Sequence, residues 1–182
     1  MADDATEVRT DRLVLRPPTD DDAAFAVALL SDPWTTAHNP SDAITSLREG
    51  RDLVTRWQGH WAAGLGYWIV ELPGAPWPIG VCGVKAVELD GLPVWNLLYR
   101  FAPAAWGHGY AREAAAEAVR AARRTDPSRP VVARVRPANA ASARVAAAIG
   151  LVRRPDLDTT GDDGPDDVWA TADAPIRSAR TA

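Results

Sequence analysis

The residues that most directly suggest chemistry form a glycine-rich turn, Trp106-Gly107-His108-Gly109-Tyr110-Ala111. The turn lies between a predicted strand that ends near Phe101 and a predicted helix that begins near Tyr110. Glycine permits positive φ and close backbone approach, and the first amides of a helix, aided by its dipole, favour an anion. Arg112 adds a full positive charge. The pattern indicates a phosphate site, although an ordinary strand-to-helix turn has the same composition.

Cysteine and histidine are too few for several other kinds of site. Cys82 is the only cysteine in the sequence, which excludes an intrachain disulfide and a cysteine-based zinc cluster. Its apolar neighbours on a predicted strand favour a buried structural thiol over a nucleophile. The only imidazoles are those of His38, His60 and His108, so we expect no metal.

The elements that must position the turn follow from apolar periodicity and breakers. Alternating residues predict a first strand over 12–16, before Pro17-Pro18. Helical spacing and capping residues predict four helices, over residues 23–30, 43–62, 110–124 and 140–149. Extended runs predict an antiparallel meander over 67–72, 79–89 and 93–101, then a strand over 131–136 and short strands near Leu151 and Val168. The predicted fold class is therefore α+β, with a mixed, mostly antiparallel central sheet flanked by about four helices.

Length and charge exclude several classes of protein. The 182 residues, 47% hydrophobic and 24% charged, fit one domain, which we place at 7–173 with flexible ends at 1–6 and 174–182. A net charge of -4 offers no general basic surface for nucleic acid. No apolar run approaches the roughly 20 residues of a membrane span, and the start has no signal-peptide pattern. We therefore expect a cytoplasmic protein with neither nucleic-acid nor membrane partners.

Three longer motifs carry a resemblance to a known family. Residues 96–114, which contain the turn, resemble the acetyl-CoA-binding core of the GNAT N-acetyltransferases. Residues 135–145, closing with Ile149-Gly150-Leu151, look like the family's strand, Asn-x-x-Ser helix and Gly-Phe ending, with Leu151 in place of Phe. The opening Thr10-Asp11-Arg12-Leu13-Val14-Leu15-Arg16-Pro17 is similar to the Rim-type branch, whose members acetylate the N-terminal amine of ribosomal proteins. The resemblance covers about residues 10–172 and implies a GNAT-type fold with acetyl-CoA as co-substrate.

The resemblance also implies how acetyl-CoA is held. Backbone groups of Phe101 would bind the pantetheine arm, and amides from Trp106 through Arg112 would hold the pyrophosphate. Asn139 matches a position that binds the arm, although it is equally a helix N-cap. Trp106 replaces the usual Gln or Arg, and His108 is expected in solvent or near phosphate. The full set of implied binding residues is Phe101, Trp106, Gly107, His108, Gly109, Tyr110, Ala111, Arg112, Asn139 and Ser142.

In this superfamily the amine attacks the thioester directly, so the catalytic residues handle protons. By the Rim-type resemblance, Ser142 would donate a proton to the departing thiolate. Many members carry a tyrosine four residues later, but that position is Ala146 here, so Ser142 or water must supply the proton. A small residue packing at a helix start is the other interpretation of Ser142. Glu88, with Asp90 nearby, is the candidate base, or else a solvated hairpin acid. The sequence does not settle the base.

The leading hypothesis is an acetyl-CoA-dependent N-acetyltransferase that acts on a primary amine, either a protein N-terminus or a small molecule. The alternative is a catalytically silent CoA-binding sensor or interaction module. A homodimer is compatible with the branch. The acid-rich segment 156–167 is expected to form a solvated hairpin loop, and most of the 8 tryptophans are expected in the core.

Overall fold

Nine strands form the sheet of the computed structural model, which describes residues 7–174. In chain order they are β1 (Val8–Arg9), β2 (Val14–Arg16), β3 (Tyr67–Glu71), β4 (Gly80–Leu89), β5 (Leu92–Phe101), β6 (Val131–Val135), β7 (Val152–Arg153), β8 (Thr159–Gly161) and β9 (Gly164–Ala170). Their order across the sheet is β1-β2-β3-β4-β5-β6-β9-β7, and β8 pairs with β9. Only β5 and β6 pair in parallel among these neighbours. The predicted mixed, mostly antiparallel sheet is confirmed.

Five α-helices, one more than predicted, flank the sheet within residues 7–174. They are α1 (Ala23–Ser31), α2 (Pro33–Thr36), α3 (Leu47–His60), α4 (Tyr110–Thr125) and α5 (Ala140–Ala148). Helix α3 begins later than predicted because Ser46 is its N-cap and forms a reciprocal capping box with Glu49. The short helix α2, which sequence analysis missed, is capped by Asp32 and begins at Pro33.

Helices cover both faces of the sheet. On one face, the alanine-rich side of α4 is fully buried and packs in one cluster with Leu15, Trp68 and Trp95. On the other face, α1 and α3 bury Phe25 and Trp57. Small alanine side chains let α4 pack close to the sheet, and this packing sets the position of the helix start relative to the strands. Within residues 7–174, no helix has both the length and the apolarity needed to span a membrane.

The predicted ends of the domain fall largely outside the described residues. Ala174, assigned to the C-terminal end by sequence, is buried, and its carbonyl accepts a hydrogen bond from Arg154 Nη1 at 2.8 Å. Residues 1–6 and 175–182 lie outside the described part of the chain.

The sheet splits between its two parallel strands. β5 and β6 pair only at Trp95 with Val131 and at Asn96 with Val132. Beyond this point β5 continues to Phe101 and β6 continues to Val135 without further pairing between them. The split therefore leaves backbone groups without strand partners in the middle of the sheet.

Candidate functional site

The split exposes a row of backbone groups on β5. The Trp95 amide donates to Pro130 toward β6, whereas the Ala102 amide donates to Ile79 on the opposite side, each at 2.9 Å. Because backbone groups alternate in direction along a strand, the N–H and C=O groups of Leu97, Tyr99 and Phe101 point into the split. An extended ligand with amide groups can pair with such a row as an added strand would.

One of these groups already has a partner. The Phe101 carbonyl accepts a hydrogen bond from Trp106 Nε1 at 2.8 Å. A carbonyl oxygen has two lone pairs, so this bond leaves one further acceptor position. Trp106 is thus held beside the end of β5 by its side chain, although the resemblance assigned it only a backbone role.

The glycine-rich turn places unpaired amides at the end of the split. Gly107 and Gly109 both have φ of +79°, a conformation that favours glycine, and Gly109 is the N-cap of α4. No side chain caps this helix start. The first amides of α4 therefore have no intrahelical partner, and the helix dipole makes this point attractive for an anion. The geometry fits the phosphate site predicted from the sequence.

A side chain from the N-terminal end of the domain holds the turn in place. Arg12 Nη1 donates to the His108 carbonyl at 2.9 Å, and its guanidinium lies 4.9 Å from the Tyr110 ring centre. Arg12 Nε in turn donates to Glu113 at 2.7 Å. Thr10 Oγ1 and the Arg12 amide also donate to Glu113, at 2.6 and 2.9 Å. We call Thr10, Arg12 and Glu113 the turn clamp.

The turn clamp changes the interpretation of Glu113. An acid in the first turn of a helix is ordinarily explained by the helix dipole alone. Burial by itself would raise the pKa of the Glu113 carboxyl, but the hydrogen bonds from Thr10 and Arg12 outweigh it and lower that pKa. Glu113 therefore remains charged and connects α4 to the turn between β1 and β2.

The split and the turn open into one cavity of about 670 Å³, which we call the splay cavity. Every predicted binding residue except His108 lines it. The lining set is Phe101, Trp106, Gly107, Gly109, Tyr110, Ala111, Arg112, Asn139 and Ser142. His108 instead stacks on Tyr110, with ring centres 5.4 Å apart, and its Nδ1 contacts the Trp106 carbonyl at 2.8 Å. Trp34 on α2, 71% exposed, also lines the splay cavity and was not predicted.

A pair of hydroxyl groups lies where α5 meets β5. Asn139 Oδ1 accepts from the Ser142 amide at 3.0 Å, so the predicted N-cap is present. Ser142 Oγ donates to the Tyr99 hydroxyl at 2.9 Å, and Tyr99 donates to the Ser142 carbonyl at 2.9 Å. Both side chains line the splay cavity. Burial raises the pKa of Tyr99 to about 12, against the partial opposing effect of Ser142.

Tyr99 is a functional candidate that sequence analysis missed. The family resemblance places a tyrosine acid on the helix after Asn139, where this chain has the buried Ala146. The available signal was the strand periodicity of β5, which gives Leu97, Tyr99 and Phe101 one common direction. With a pKa near 12, the Tyr99 hydroxyl keeps its proton at neutral pH and can donate it.

A second cavity adjoins the first across β5. This side cavity, of about 660 Å³, is bordered by α3, β4, β5, β6 and the β8–β9 hairpin. The two cavities share Asn39, Leu97, Leu98, Arg100, Arg134 and Arg136. Two substrates can therefore meet along β5, one from each side. Glu88 is exposed near the end of β4, opposite Pro93, and lines neither cavity.

The acid-rich hairpin is not simply a solvated loop. The predicted hairpin exists as β8 and β9, but Asp166 is 5% exposed and lies 3.2 Å from Arg136 Nη1. Arg136 also donates to the Gly164 carbonyl. Asp163 accepts from both the amide and the hydroxyl of Ser41. These contacts hold the hairpin in place, where it forms one wall of the side cavity.

Cys82 has no role at this site. It is fully buried in the main core cluster, and burial raises the pKa of its thiol far above the usual range. The thiol therefore stays protonated and a poor nucleophile, in agreement with direct transfer.

Known proteins resemble this chain in sequence and in fold. The sequence model of the acetyltransferase (GNAT) domain matches residues 12–152, which is most of the chain. The chain belongs to the GNAT acetyltransferase family. This GNAT chain is also 32% identical over 149 residues to Bacillus subtilis (strain 168) "Uncharacterized protein YkkB", covering 80% of this chain and 85% of that protein.

Solved GNAT structures have the same fold. An acetyltransferase from Agrobacterium tumefaciens str. C58 superposes with a TM-score of 0.76 at 26% identity, covering 93% of this chain and 96% of its own. RimL, described as a ribosomal L7/L12 alpha-N-protein acetyltransferase in complex with coenzyme A, gives 0.73 at 17% identity, covering 90% and 96%. At this low identity RimL supports the GNAT fold, which the sequence motifs predicted.

Proposed function

We propose that this GNAT protein is an acetyl-CoA-dependent N-acetyltransferase that moves the acetyl group directly onto a primary amine. The observation that carries the proposal is the continuity of the splay cavity, which joins the unpaired edge of β5, the amides of the glycine-rich turn and the Tyr99–Ser142 hydroxyl pair. Acetyl-CoA has one matching part for each: amides in its pantetheine arm, a pyrophosphate and a thioester.

The chain's own groups fit this co-substrate in chemistry. Backbone groups of Leu97, Tyr99 and Phe101 would pair with the amides of the arm, while the first amides of α4 and Arg112 would bind the pyrophosphate. The exposed indoles of Trp34 and Trp106 offer flat apolar surfaces at the same cavity. The bound thioester supplies an activated acetyl carbon to the adjoining side cavity.

The proposed reaction needs no residue as nucleophile. The amine nitrogen forms a bond to the acetyl carbon, the carbon–sulfur bond breaks, and the nitrogen gives up one proton to water. The Tyr99–Ser142 pair gives a proton to the departing sulfur, which leaves as the thiol, and the pair takes a proton back from water. Glu88 lies outside both cavities, so the proposed step does not use it.

The acceptor is a primary amine at a protein N-terminus or on a small molecule. The likeness of residues 10–17 to the Rim-type branch and the fold shared with RimL support an N-terminal amine. The size of the side cavity, about 660 Å³, lies in the range of small-ligand sites and supports a small amine.

The test is free-thiol release from acetyl-CoA against peptides, amino acids, polyamines and aminoglycosides, with calorimetric CoA binding on the same sample. We expect turnover with at least one class and CoA binding to saturation. CoA binding without turnover of any amine would contradict the transferase and favour a CoA-binding sensor. Absence of CoA binding would contradict the cofactor assignment itself.

A further inference from the structure

The side cavity has an excess of unpaired positive charge on one wall. Two of its arginines have acid partners: Arg100 Nη2 lies 2.6 Å from Asp42, and Arg136 Nη1 lies 3.2 Å from Asp166. Three further cations, Arg56, Lys85 and Arg134, line the cavity. Within residues 7–174, none of these three forms an ion pair.

The three cations converge although they come from α3, β4 and β6. Burial lowers the pKa of Lys85, and the charges of Arg134 and Arg56 lower it further, against the opposing effect of Asp42. His60 behaves in the same way: burial, then Lys85 and Arg56, lower its pKa to about 4. His60 is thus a neutral ring at pH 7, and its buried Nδ1 has no hydrogen-bond partner. We call Arg56, Lys85 and Arg134 the cation cluster.

The composition of the chain does not require these three cations to lie without acidic partners. The chain has 24 acidic against 20 basic residues, so acids are available, and most arginines elsewhere have one within ion-pair distance. Lys85, the single lysine, is half-buried and contacts the Tyr67 ring, and within residues 7–174 it forms no ion pair with a carboxylate. Of the acids that line the side cavity, Asp162 alone has no ion pair within residues 7–174. A bound anion would relieve the excess.

We infer that the acceptor is a small amine that also carries an oxyanion, a carboxylate or a phosphoryl group, and that Arg56, Lys85 and Arg134 bind this oxyanion. The inference rests on the proposed function and names the substrate class of the same site. Arg134 lines both cavities, and Lys85 lies opposite Asn96, where β5 leaves β6. The cluster therefore lies beside the place where an amine must meet the thioester. Each charge-assisted contact of this kind changes affinity about tenfold to a hundredfold.

The first experiment compares amines with and without the oxyanion, at equal concentrations of the unprotonated amine. Initial rates of thiol release are measured for glycine, β-alanine and glutamate against their amides, and for 3-aminopropylphosphonate against propylamine. We expect kcat/KM at least about tenfold higher for the acid in one or more pairs. The phosphonate and carboxylate arms separate the two sources of the oxyanion. Equal kcat/KM within every pair would overturn the inference.

Variants then connect the preference to the cluster. Arg56→Gln and Lys85→Gln should raise KM for the oxyanion-bearing amine about tenfold and leave its neutral partner unchanged. Lys85→Arg, which keeps the positive charge, should retain most of the preference for the oxyanion-bearing amine that Lys85→Gln loses. The matched control is Arg51→Gln, an exposed arginine on the same helix that lines neither cavity and should change nothing. Equal losses for the acid and the neutral amine would refute the cluster's role.

A binding measurement separates this inference from the proposed function. Calorimetric titration of the same amines into protein saturated with CoA reports affinity without turnover. Preferential binding of oxyanion-bearing amines, lost in Lys85→Gln, with no acetylation of any amine, would uphold the cation cluster and contradict the transferase. Acetylation of neutral amines with no preference for acids would support the transferase and contradict the cation cluster. A preference for acidic peptides over every small amine would overturn the small-molecule assignment.

Discussion

The hydroxyl pair at the meeting of β5 and α5 makes a quantitative prediction. Tyr99→Phe removes two hydrogen bonds of 2.9 Å, one accepted from Ser142 Oγ and one donated to the Ser142 carbonyl. Ser142→Ala removes only the first and leaves the carbonyl contact in place. At about 0.5–1.5 kcal/mol per bond, the free energy of unfolding should fall by about 1–3 kcal/mol in Tyr99→Phe and by about half of that in Ser142→Ala.

The two substitutions share one bond, so their effects on stability should not add. The double variant should lose less than the sum of the singles, by about 0.5–1.5 kcal/mol, when urea unfolding is followed for all four proteins. Additive losses would show that the two hydroxyls do not interact in solution.

The same variants test the proposed catalytic role. If the pair donates to the departing sulfur, each single variant should lower kcat, Tyr99→Phe by about tenfold to a hundredfold, while calorimetric CoA affinity changes less than about threefold. An unchanged kcat in Tyr99→Phe would refute the role. Parallel losses in kcat and CoA affinity would make the pair a binding element only.

Three further predictions follow from the turn and from the side cavity. Gly109→Val should abolish CoA binding by calorimetry, because φ of +79° is unfavourable for valine, whereas the control Gly74→Val, at φ of +76°, should bind CoA normally; binding by Gly109→Val would refute the phosphate site. Glu113→Gln should weaken CoA binding several-fold with little change in kcat, because the turn clamp is loosened; unchanged affinity would contradict the clamp's role. Because the folded-state pKa of His60 is about 4, below its unfolded value, stability should fall as pH drops from about 6.5 toward 4; His60→Gln should lose less over that range in urea titrations, and an identical loss would contradict the assignment.

Local patterns in the sequence predicted most of the fold and the place of the glycine-rich turn between a strand and a helix. The glycine-rich turn and Asn139 are short-range features whose function depends on the adjacent strand and helix, so spacing along the chain predicted them. Helix α4 was placed within one residue of its observed bounds because its alanine face and first-turn acid are both local signals.

Contacts between distant parts of the chain could not be predicted in this way. Glu113 and Arg12 are 101 positions apart, and Tyr99 and Ser142 are 43 apart. Each pairing depends on which strands become neighbours. The cation cluster is still harder to predict, because it is defined by a lack of acidic residues near three cations. The sequence gives the number of acids but does not show which of them lie near those cations.

The two residue pairs that join β5 to β6 have a mechanical consequence. They are the only ladder contacts between a front half of the sheet, β1 to β5, and a rear half, β6 to β9, within residues 7–174. A molecule bound along the split could form the hydrogen bonds that β5 and β6 do not form with each other, and would then occupy the place of a strand. The amides of Leu97, Tyr99 and Phe101 should then exchange with solvent quickly in the free protein and slowly when such a molecule is bound. A bound molecule would therefore add hydrogen bonds between the two parts of the sheet and make the protein stiffer, and its release would remove them.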